Sequence, residues 1–130
     1  MSNPVYDDTF VIITSNDKMT YYYNPHSVEV DDTNHIIKVW IKLVFTDKGK
    51  QDLLETYKDD NFRYIDYDLL LFVINYNKMI YNIKEVIHYY ILSDKIIDVK
   101  DTSDKWKDII PGSFSEGVLN IFYDNNTIKR

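Results

Sequence analysis

The sequence predicts an α+β domain, in which an antiparallel β-meander carries a C-terminal helix on one face and a short helix in its middle connection. Three observations support this prediction. Segments that alternate with the two-residue period of strands follow one another across short polar turns, which favours antiparallel neighbours over βαβ units. An amphipathic segment with a helix-capping signal lies near the C-terminus. Twelve Tyr and six Phe against three Gly and three Pro suit pleated, half-buried surfaces.

The first half of the chain predicts three strands and the short helix. Residues 11–14 and 20–23 flank turn-forming residues, so we expect a hairpin that ends at Pro25, which cannot donate to a sheet ladder. Residues 35–45 alternate strongly between apolar and polar positions. Their apolar face consists of Ile37, Val39, Ile41 and Leu43. Residues 47–60 are mostly charged and predict a short exposed helix, whose apolar positions are Leu53, Leu54 and Tyr57.

Two long strands and one short strand are predicted in the second half. Residues 67–77 are a nearly continuous apolar run, and residues 79–92 alternate over their whole length. With uninterrupted alternation, the core face of the second strand consists of Met79, Tyr81, Ile83, Glu85, Ile87, Tyr89 and Ile91. His88 then lies on the opposite, more polar face and is expected to be a surface or rim histidine. A short strand is expected at residues 95–99.

The C-terminal helix has a clear local signal. Pro111 and Gly112 break the extended backbone, and the four residues that follow have the S-x-x-E form of a capping box. In this box Ser113 is the N-cap, and Glu116 reaches back from the third helical position. The apolar stripe behind the cap consists of Phe114, Val118, Leu119, Ile121 and Phe122. Because so short a helix is unstable alone in water, we expect it to dock on the sheet.

Length, charge and composition exclude several classes of function. The chain has 130 residues, which predicts one domain with an ordered core at about 9–124 and polar ends, 1–8 and 125–130, that fray. A net charge of −6 and the absence of a Lys/Arg run argue against a nucleic-acid partner. The lack of cysteine excludes disulfides, thiolate metal ligands and cysteine nucleophiles.

Two cellular locations are compatible with the sequence. No apolar run reaches membrane-spanning length, so we expect no membrane insertion. The chain opens without a recognisable leader, which indicates a cytoplasmic protein if Met1 is the native start. If a leader has been removed, the protein is expected at the cell surface or in the envelope.

No catalytic, cofactor-binding or metal site is expected. His26, His35 and His88 form no H-x-x-x-H or H-E-x-x-H pair, and the acidic doublets lack the glycine and closing glutamate of a calcium loop. The string GSFSEG has the spacing G-x-x-S-x-G, which differs from the G-x-S-x-G of a nucleophile elbow. The capping box accounts for its Ser113 and Glu116. We therefore expect a protein that is not an enzyme and has no cofactor.

Three short motifs follow one another along the chain and carry a family resemblance. Residues 22–27 are YYNPHS, residues 38–40 are KVW, and residues 106–116, which begin at Trp106, are WKDIIPGSFSE. These segments are similar to the YY-(D/N)-P-x-S, (K/R)-V-W and W-x-x-I-x-P-G-S-x-x-E elements of the surface-adhesin protein E family, known from a Haemophilus adhesin. The similarity spans residues 9–123, nearly the whole chain.

The resemblance implies about six antiparallel strands curved like a half-barrel, with the C-terminal helix on the concave face. It also implies a binding module at a bacterial surface and a dimer. Members of the family often have two cysteines that join the strand after the middle loop to the final helix. The matching segments here, YDLLLF and NIFYD, contain none. Apolar packing must then replace the stabilisation of about 2–4 kcal/mol that this disulfide would contribute.

Three functions are compatible with the sequence. The first is a non-enzymatic, adhesin-like module that binds a protein partner, or a second copy, through its sheet surface or an open edge. The candidate contact residues are Tyr21, Tyr23 and Trp40, because exposed aromatic side chains are enriched at interfaces. The second is an intracellular structural or oligomerising domain. The third is a small-ligand carrier that uses a cavity between sheet and helix, which convergent polar groups would favour and a filled concave face would oppose.

Overall fold

The computed structural model describes residues 9–91, 96–100 and 105–130, with the backbone alone for 96–100. The segment 1–8, which was expected to fray, lies outside the described residues. The strands and helices in chain order are β1 (Val11–Ser15), β2 (Met19–Tyr23), β3 (Glu29–Asp31), β4 (Ile36–Phe45), α1 (Asp47–Tyr57), β5 (Ile65–Asn75), β6 (Ile80–Tyr90), β7 (Ile96–Lys100), β8 (Lys107–Asp108) and α2 (Phe114–Asp124). Short 3-10 turns cover Pro25–Ser27 and Asp60–Tyr64.

The strands form one antiparallel sheet. In the described part of the chain its path is β1-β2-β4-β5-β6-β7, while β3 pairs with β4 and β8 pairs with β6. The sheet is open, and α1 connects β4 to β5 through the second 3-10 turn. The predicted fold class, a curved antiparallel meander with a C-terminal helix and a helix in the middle connection, is confirmed. No helix among the described residues is long and apolar enough to cross a membrane.

One face of the sheet, which we call the concave face, packs against α2. The register of β4 and β5 aligns apolar residues in rows, such as Ile37 opposite Ile74 and Val39 opposite Phe72. The core that these rows form with α2 comprises Ile37, Val39, Ile41, Leu70, Phe72, Ile74, Ile109, Val118, Leu119, Phe122 and Ile128. Full burial of each such side chain contributes about 1.5–3 kcal/mol before entropy. Docking of the C-terminal helix is therefore confirmed.

A β-bulge in β6 overturns the prediction of uninterrupted alternation over 79–92. Phe72 pairs with Ile83 and Leu71 pairs with Glu85, so Lys84 is the extra residue of the bulge. An extra residue shifts the two-residue period by one, and the side chains beyond it change faces. Ile83 before the bulge therefore shares the concave face with alternate residues after it, beginning at Val86, while Ile87 and Tyr89 lie on the opposite face.

The cap of α2 is formed by Ser113 and Glu116 as predicted, but the Glu116 carboxylate accepts from a different N–H than expected. The hydroxyl of Ser113 accepts a hydrogen bond from the Glu116 N–H at 3.4 Å, as expected of an N-cap. The Glu116 carboxylate accepts from the N–H of Gly112 at 3.1 Å, one residue earlier than in a regular capping box. Gly112 has a φ of 81°, a conformation that favours glycine. The break before α2 is thus a glycine turn closed by the first turn of the helix.

The beginning of α1 is attached to the start of β2. Thr46 is the N-cap, and its hydroxyl accepts from the N–H of Gly49 at 3.1 Å. The same hydroxyl lies 2.7 Å from the carbonyl oxygen of Asp17 and 2.9 Å from that of Lys18, and the Thr46 N–H donates to the Lys18 carbonyl at 2.9 Å. These bonds connect α1 to the first turn of the sheet.

Two of the three family-like motifs have a structural explanation. Asn24 is fully buried, its side chain accepts from the His26 N–H, and its carbonyl accepts from both the N–H and the hydroxyl of Ser27. The Ser27 hydroxyl in turn accepts from the N–H of Trp40, whose carbonyl accepts from the Asn24 N–H. These hydrogen bonds therefore hold the turn within residues 22–27 against residues 38–40 of β4.

Candidate functional site

The concave face is not filled along its whole length. Beside the N-terminus of α2 it encloses an open pocket of about 260 Å³, which we call the concave pocket. The residues that line it are Met19, Tyr21, Leu43, Leu70, Phe72, Tyr81, Ile83, Ser113, Phe114 and Ser115. Four strands supply its floor and α2 supplies one wall. An apolar cleft at the junction of a sheet and a helix is a common position for a binding site.

Aromatic rings fix the shape of the concave pocket. The Tyr21 ring lies 4.2 Å from that of Phe114, and the Phe72 ring is stacked on that of Tyr81 at 5.1 Å. Phe72 also meets Phe114 edge to face at 6.1 Å. Offset and edge-to-face contacts between rings add stabilisation beyond their buried area. The rings therefore connect β2, β5, β6 and the first residue of α2 into one frame.

Two hydroxyl groups supply polarity in the pocket. Ser115 is buried, and its Oγ lies 2.9 Å from the Oγ of Ser113. The sequence assigned Ser113 to capping, and this second hydroxyl was not anticipated. The rest of the lining is apolar apart from the tyrosines, so the pocket suits an apolar group with one weak hydrogen-bonding position.

A buried acid and a histidine lie farther along the same face. The Nδ1 atom of His88 is 2.6 Å from Oδ1 of Asp68, and both side chains are largely buried. The hydrogen bond with Asp68 raises the pKa of His88 above its usual value, while desolvation acts in the opposite direction. The bulge at Lys84 turns His88 from the more polar face that the sequence predicted onto the concave face, where its burial is intermediate.

The Asp68–His88 pair joins β5 to β6 across the sheet. The ring of Phe62, from the 3-10 turn after α1, meets His88 edge to face at 5.9 Å. Within the described chain, the pair forms no hydrogen bond to a serine or threonine hydroxyl, which nucleophilic catalysis would need. Its geometry is explained by a structural role that fastens the turn before β5 to the sheet.

The structure divides the three aromatic residues that were candidates for partner binding. Tyr21 and Tyr23 are half-buried on the concave face, where Tyr23 meets Phe122 edge to face at 6.3 Å. Trp40 is half-buried on the opposite face, because it alternates with Ile41. The two tyrosines thus contribute to the packing of α2. A partner-binding role for these three residues stays a prediction.

The edge of the sheet at β1 is a second candidate site. Among the described residues β1 pairs with β2 alone. Val11 and Ile12 are 42 % and 59 % exposed. The strand VIITS contains no charged residue and no proline, whereas β7 at the other end of the path contains Asp98 and Lys100. Proteins commonly protect edge strands with charges, proline or β-bulges; β1 lacks the first two, although its register with β2 shifts between Ile12 and Thr14.

Comparisons with known proteins add no family. No protein-family model matches the sequence, and no curated protein matches it with significance. Within the described ranges, no three His, Asp or Glu side chains are grouped so that they could hold a metal ion. The concave pocket and the β1 edge are therefore the features from which a function can be inferred.

Proposed function

We propose that the protein is a non-enzymatic protein-binding module, which adds an extended segment of its partner to the edge of β1. The observation that carries this proposal is the exposed, uncharged strand at the end of the sheet. Its outward N–H and C=O groups can form a new ladder, and ladders of this kind supply the affinity in β-augmentation. The resemblance of residues 22–27, 38–40 and 106–116 to the surface-adhesin protein E family also supports an adhesin-like binding role.

The side chains of β1 indicate which segment would bind. Val11 pairs with Tyr23 and faces the concave side, whereas Ile12 pairs with Tyr22 and faces the other. An added strand would lie about 4.8 Å beyond β1, with its own side chains beside these two apolar residues. Cross-strand pairs of β-branched and aromatic residues stabilise such an arrangement. The preferred partner is therefore an extended segment rich in Val, Ile or aromatic residues.

A charge placed on the edge tests this proposal. Peptides selected from a random display library on the purified protein provide the ligand, and fluorescence anisotropy measures their affinity. Ile12→Lys should weaken binding at least tenfold, because lysine on an edge strand opposes pairing. Ile110→Lys is the matched control, since Ile110 is 64 % exposed against 59 % for Ile12 and lies outside every strand. The control should bind the peptides normally.

Hydrogen exchange locates the contact. Amides of β1 should exchange more slowly when the peptide is bound, while those of β3, another short exposed strand, should not change. Equal affinity of Ile12→Lys and the parent protein, or protection confined to another region, would reject the proposal. Protection of β1 in a concentration-dependent dimer without peptide would identify a second copy as the partner, and would support the oligomerising alternative instead.

The concave pocket favours a small-ligand carrier as a second candidate. Its floor is apolar, and Ser113 and Ser115 provide the converging hydroxyl groups. Indole is a suitable probe, because it combines an apolar ring with one N–H donor. Saturable NMR shifts of the methyl groups of Leu70 and Ile83, lost in the pocket-filling variant Leu43→Phe, would support this candidate. The absence of such shifts at millimolar indole would reject it.

A further inference from the structure

Two short strands pair with the outer edge of β6. β7 pairs with residues 85–89 of β6, whereas β8 pairs with Ile80 and Tyr81. Asn82, Ile83 and the bulged Lys84 lie between these two pairings. The bulge and the change of partner strand therefore fall at the same point of the sheet edge.

A small pocket lies beside these residues. Its volume is about 110 Å³, and Tyr81, Asn82, Ile83, Lys105 and Lys107 line it. Lys105 and Lys107 are exposed residues, so their ammonium groups can remain solvated while they border the pocket. Nearby, the Nζ atom of Lys84 lies 5.7 Å from the ring centre of Trp106. The charged residues in the described lining of the pocket are Lys105 and Lys107, while Glu85 and Asp108 lie beside it in the strand pairings of β6.

Asn82 is the unusual residue of the pocket. It is 2 % exposed, and its Nδ2 atom has no hydrogen-bond partner within the described parts of the chain. Buried side-chain donors almost always have an acceptor, and a buried donor without one is costly. A strand position between Tyr81 and Ile83 could hold an apolar side chain instead, so packing does not explain the amide. An acceptor in the pocket would explain it.

We propose that this pocket binds a small anion, a carboxylate or an oxyanion such as phosphate or sulfate, which accepts a hydrogen bond from Asn82 Nδ2. Lys105 and Lys107 supply the complementary positive charge. Hydrogen bonds to an ionised acceptor are stronger than those between neutral groups, and two ammonium groups favour an anion over a neutral acceptor. The volume limits the ligand to a few heavy atoms and excludes a nucleotide.

Titration with simple anions tests the site directly. Phosphate, sulfate and acetate are added in separate series at constant ionic strength, with chloride as the reference, and the side-chain NH₂ signal of Asn82 is followed by ¹⁵N NMR. We expect a saturable shift of this signal with at least one of the three anions. The rank order of the three series shows whether a carboxylate or a tetrahedral oxyanion is the better ligand.

Variants separate this site from general ion binding. Lys105→Ala and Lys107→Ala should each weaken the anion roughly two- to fivefold, the size expected for one exposed charge. Lys129→Ala removes an exposed lysine that does not line the pocket and should leave the affinity unchanged. Asn82→Leu should fold and fail to bind, because leucine fills the position without a donor. If that variant does not fold, Lys107→Glu keeps Asn82 and should abolish binding.

Two results would overturn the proposal. A signal that does not respond to any anion at tens of millimolar would show that water or the chain itself supplies the acceptor. Equal affinity in the parent protein and in the Lys105→Ala, Lys107→Ala and Lys129→Ala variants would show that the pocket holds an adventitious ion only. Neither result depends on whether a partner binds at β1.

Discussion

Alanine substitutions at two helix glycines should have opposite effects on stability. Gly49 lies in the first turn of α1 and Gly117 near the start of α2, each in a helix of 11 residues. By helix propensity alone, alanine at either position should stabilise the protein by about 0.5–1 kcal/mol. A Cβ at Gly117 would meet no atom within 4 Å, whereas one at Gly49 would lie 2.0 Å from the carbonyl oxygen of Lys18.

The contact at Gly49 decides whether alanine at this position stabilises or destabilises the protein, because the obstructing atom belongs to the backbone. Ordinary contact begins at 3.4 Å, so α1 and the start of β2 must separate by about 1.4 Å. Overpacking of this kind costs about 1–3 kcal/mol. The separation also weakens the hydrogen bonds that the N–H and the hydroxyl of Thr46 donate to the carbonyls of residues 17 and 18, each worth about 0.5–1.5 kcal/mol. After the propensity gain, Gly49→Ala should destabilise the protein by about 2–4 kcal/mol.

Urea unfolding of the parent protein and the two variants measures both effects. Gly117→Ala should raise the transition midpoint and Gly49→Ala should lower it, with similar slopes in all three curves. A neutral or stabilising Gly49→Ala would mean that α1 does not lie against the Lys18 carbonyl. A destabilising Gly117→Ala would show that propensity is a poor guide for α2, and the inference from the pair would fail.

Three further predictions concern α2 and the Asp68–His88 pair. Phe122→Ala should destabilise the protein by about 3–5 kcal/mol in urea unfolding, because the ring is 1 % exposed; a loss below about 1 kcal/mol would contradict docking through this ring. Ser113→Ala should cost about 1 kcal/mol, and an unchanged midpoint would show that its hydroxyl is not an effective cap. His88→Gln tests the pH dependence: because the pKa of His88 is raised in the folded state, its contribution is complete below the ordinary histidine pKa and disappears as the pH rises through the raised value. The stability difference between parent and variant should therefore shrink as the pH rises from below the ordinary histidine pKa through the raised pKa of His88, and a constant difference would be evidence against the ion pair.

Local patterns were sufficient to predict most of the fold. Residues 35–45 alternate because one face of β4 is buried, and this face packs under α2 as expected. Ser113 caps α2 because the signal lies within four residues. Even the order of the strands follows from short connections, which place sequential strands side by side. Ile128 lies in the core, four residues beyond the expected boundary at 124, because the chain after α2 turns back on the helix.

The candidate sites depend on contacts and strand pairings between residues that are far apart in the sequence. Both faces of β6 include apolar residues after the bulge, Val86 on one side and Ile87 on the other, so the sequence pattern does not reveal the shift at Lys84. The partner of His88 is 20 residues away, in a run that otherwise predicts a buried strand. Exposure of β1 depends on its place at the end of the sheet, which its own five residues do not encode.

The bulge at Lys84 explains how His88 of β6 reaches Asp68 of β5. Without the extra residue, uniform alternation would place Asn82 and His88 on the same face, since both have even numbers. Ile83 and Asp68 lie on the concave face, so His88 could not then reach Asp68 while Ile83 kept its place opposite Phe72. The bulge permits both contacts, and it lies two residues from Asn82, which lines the small pocket. The contact between His88 and Asp68 is thus a consequence of one inserted residue.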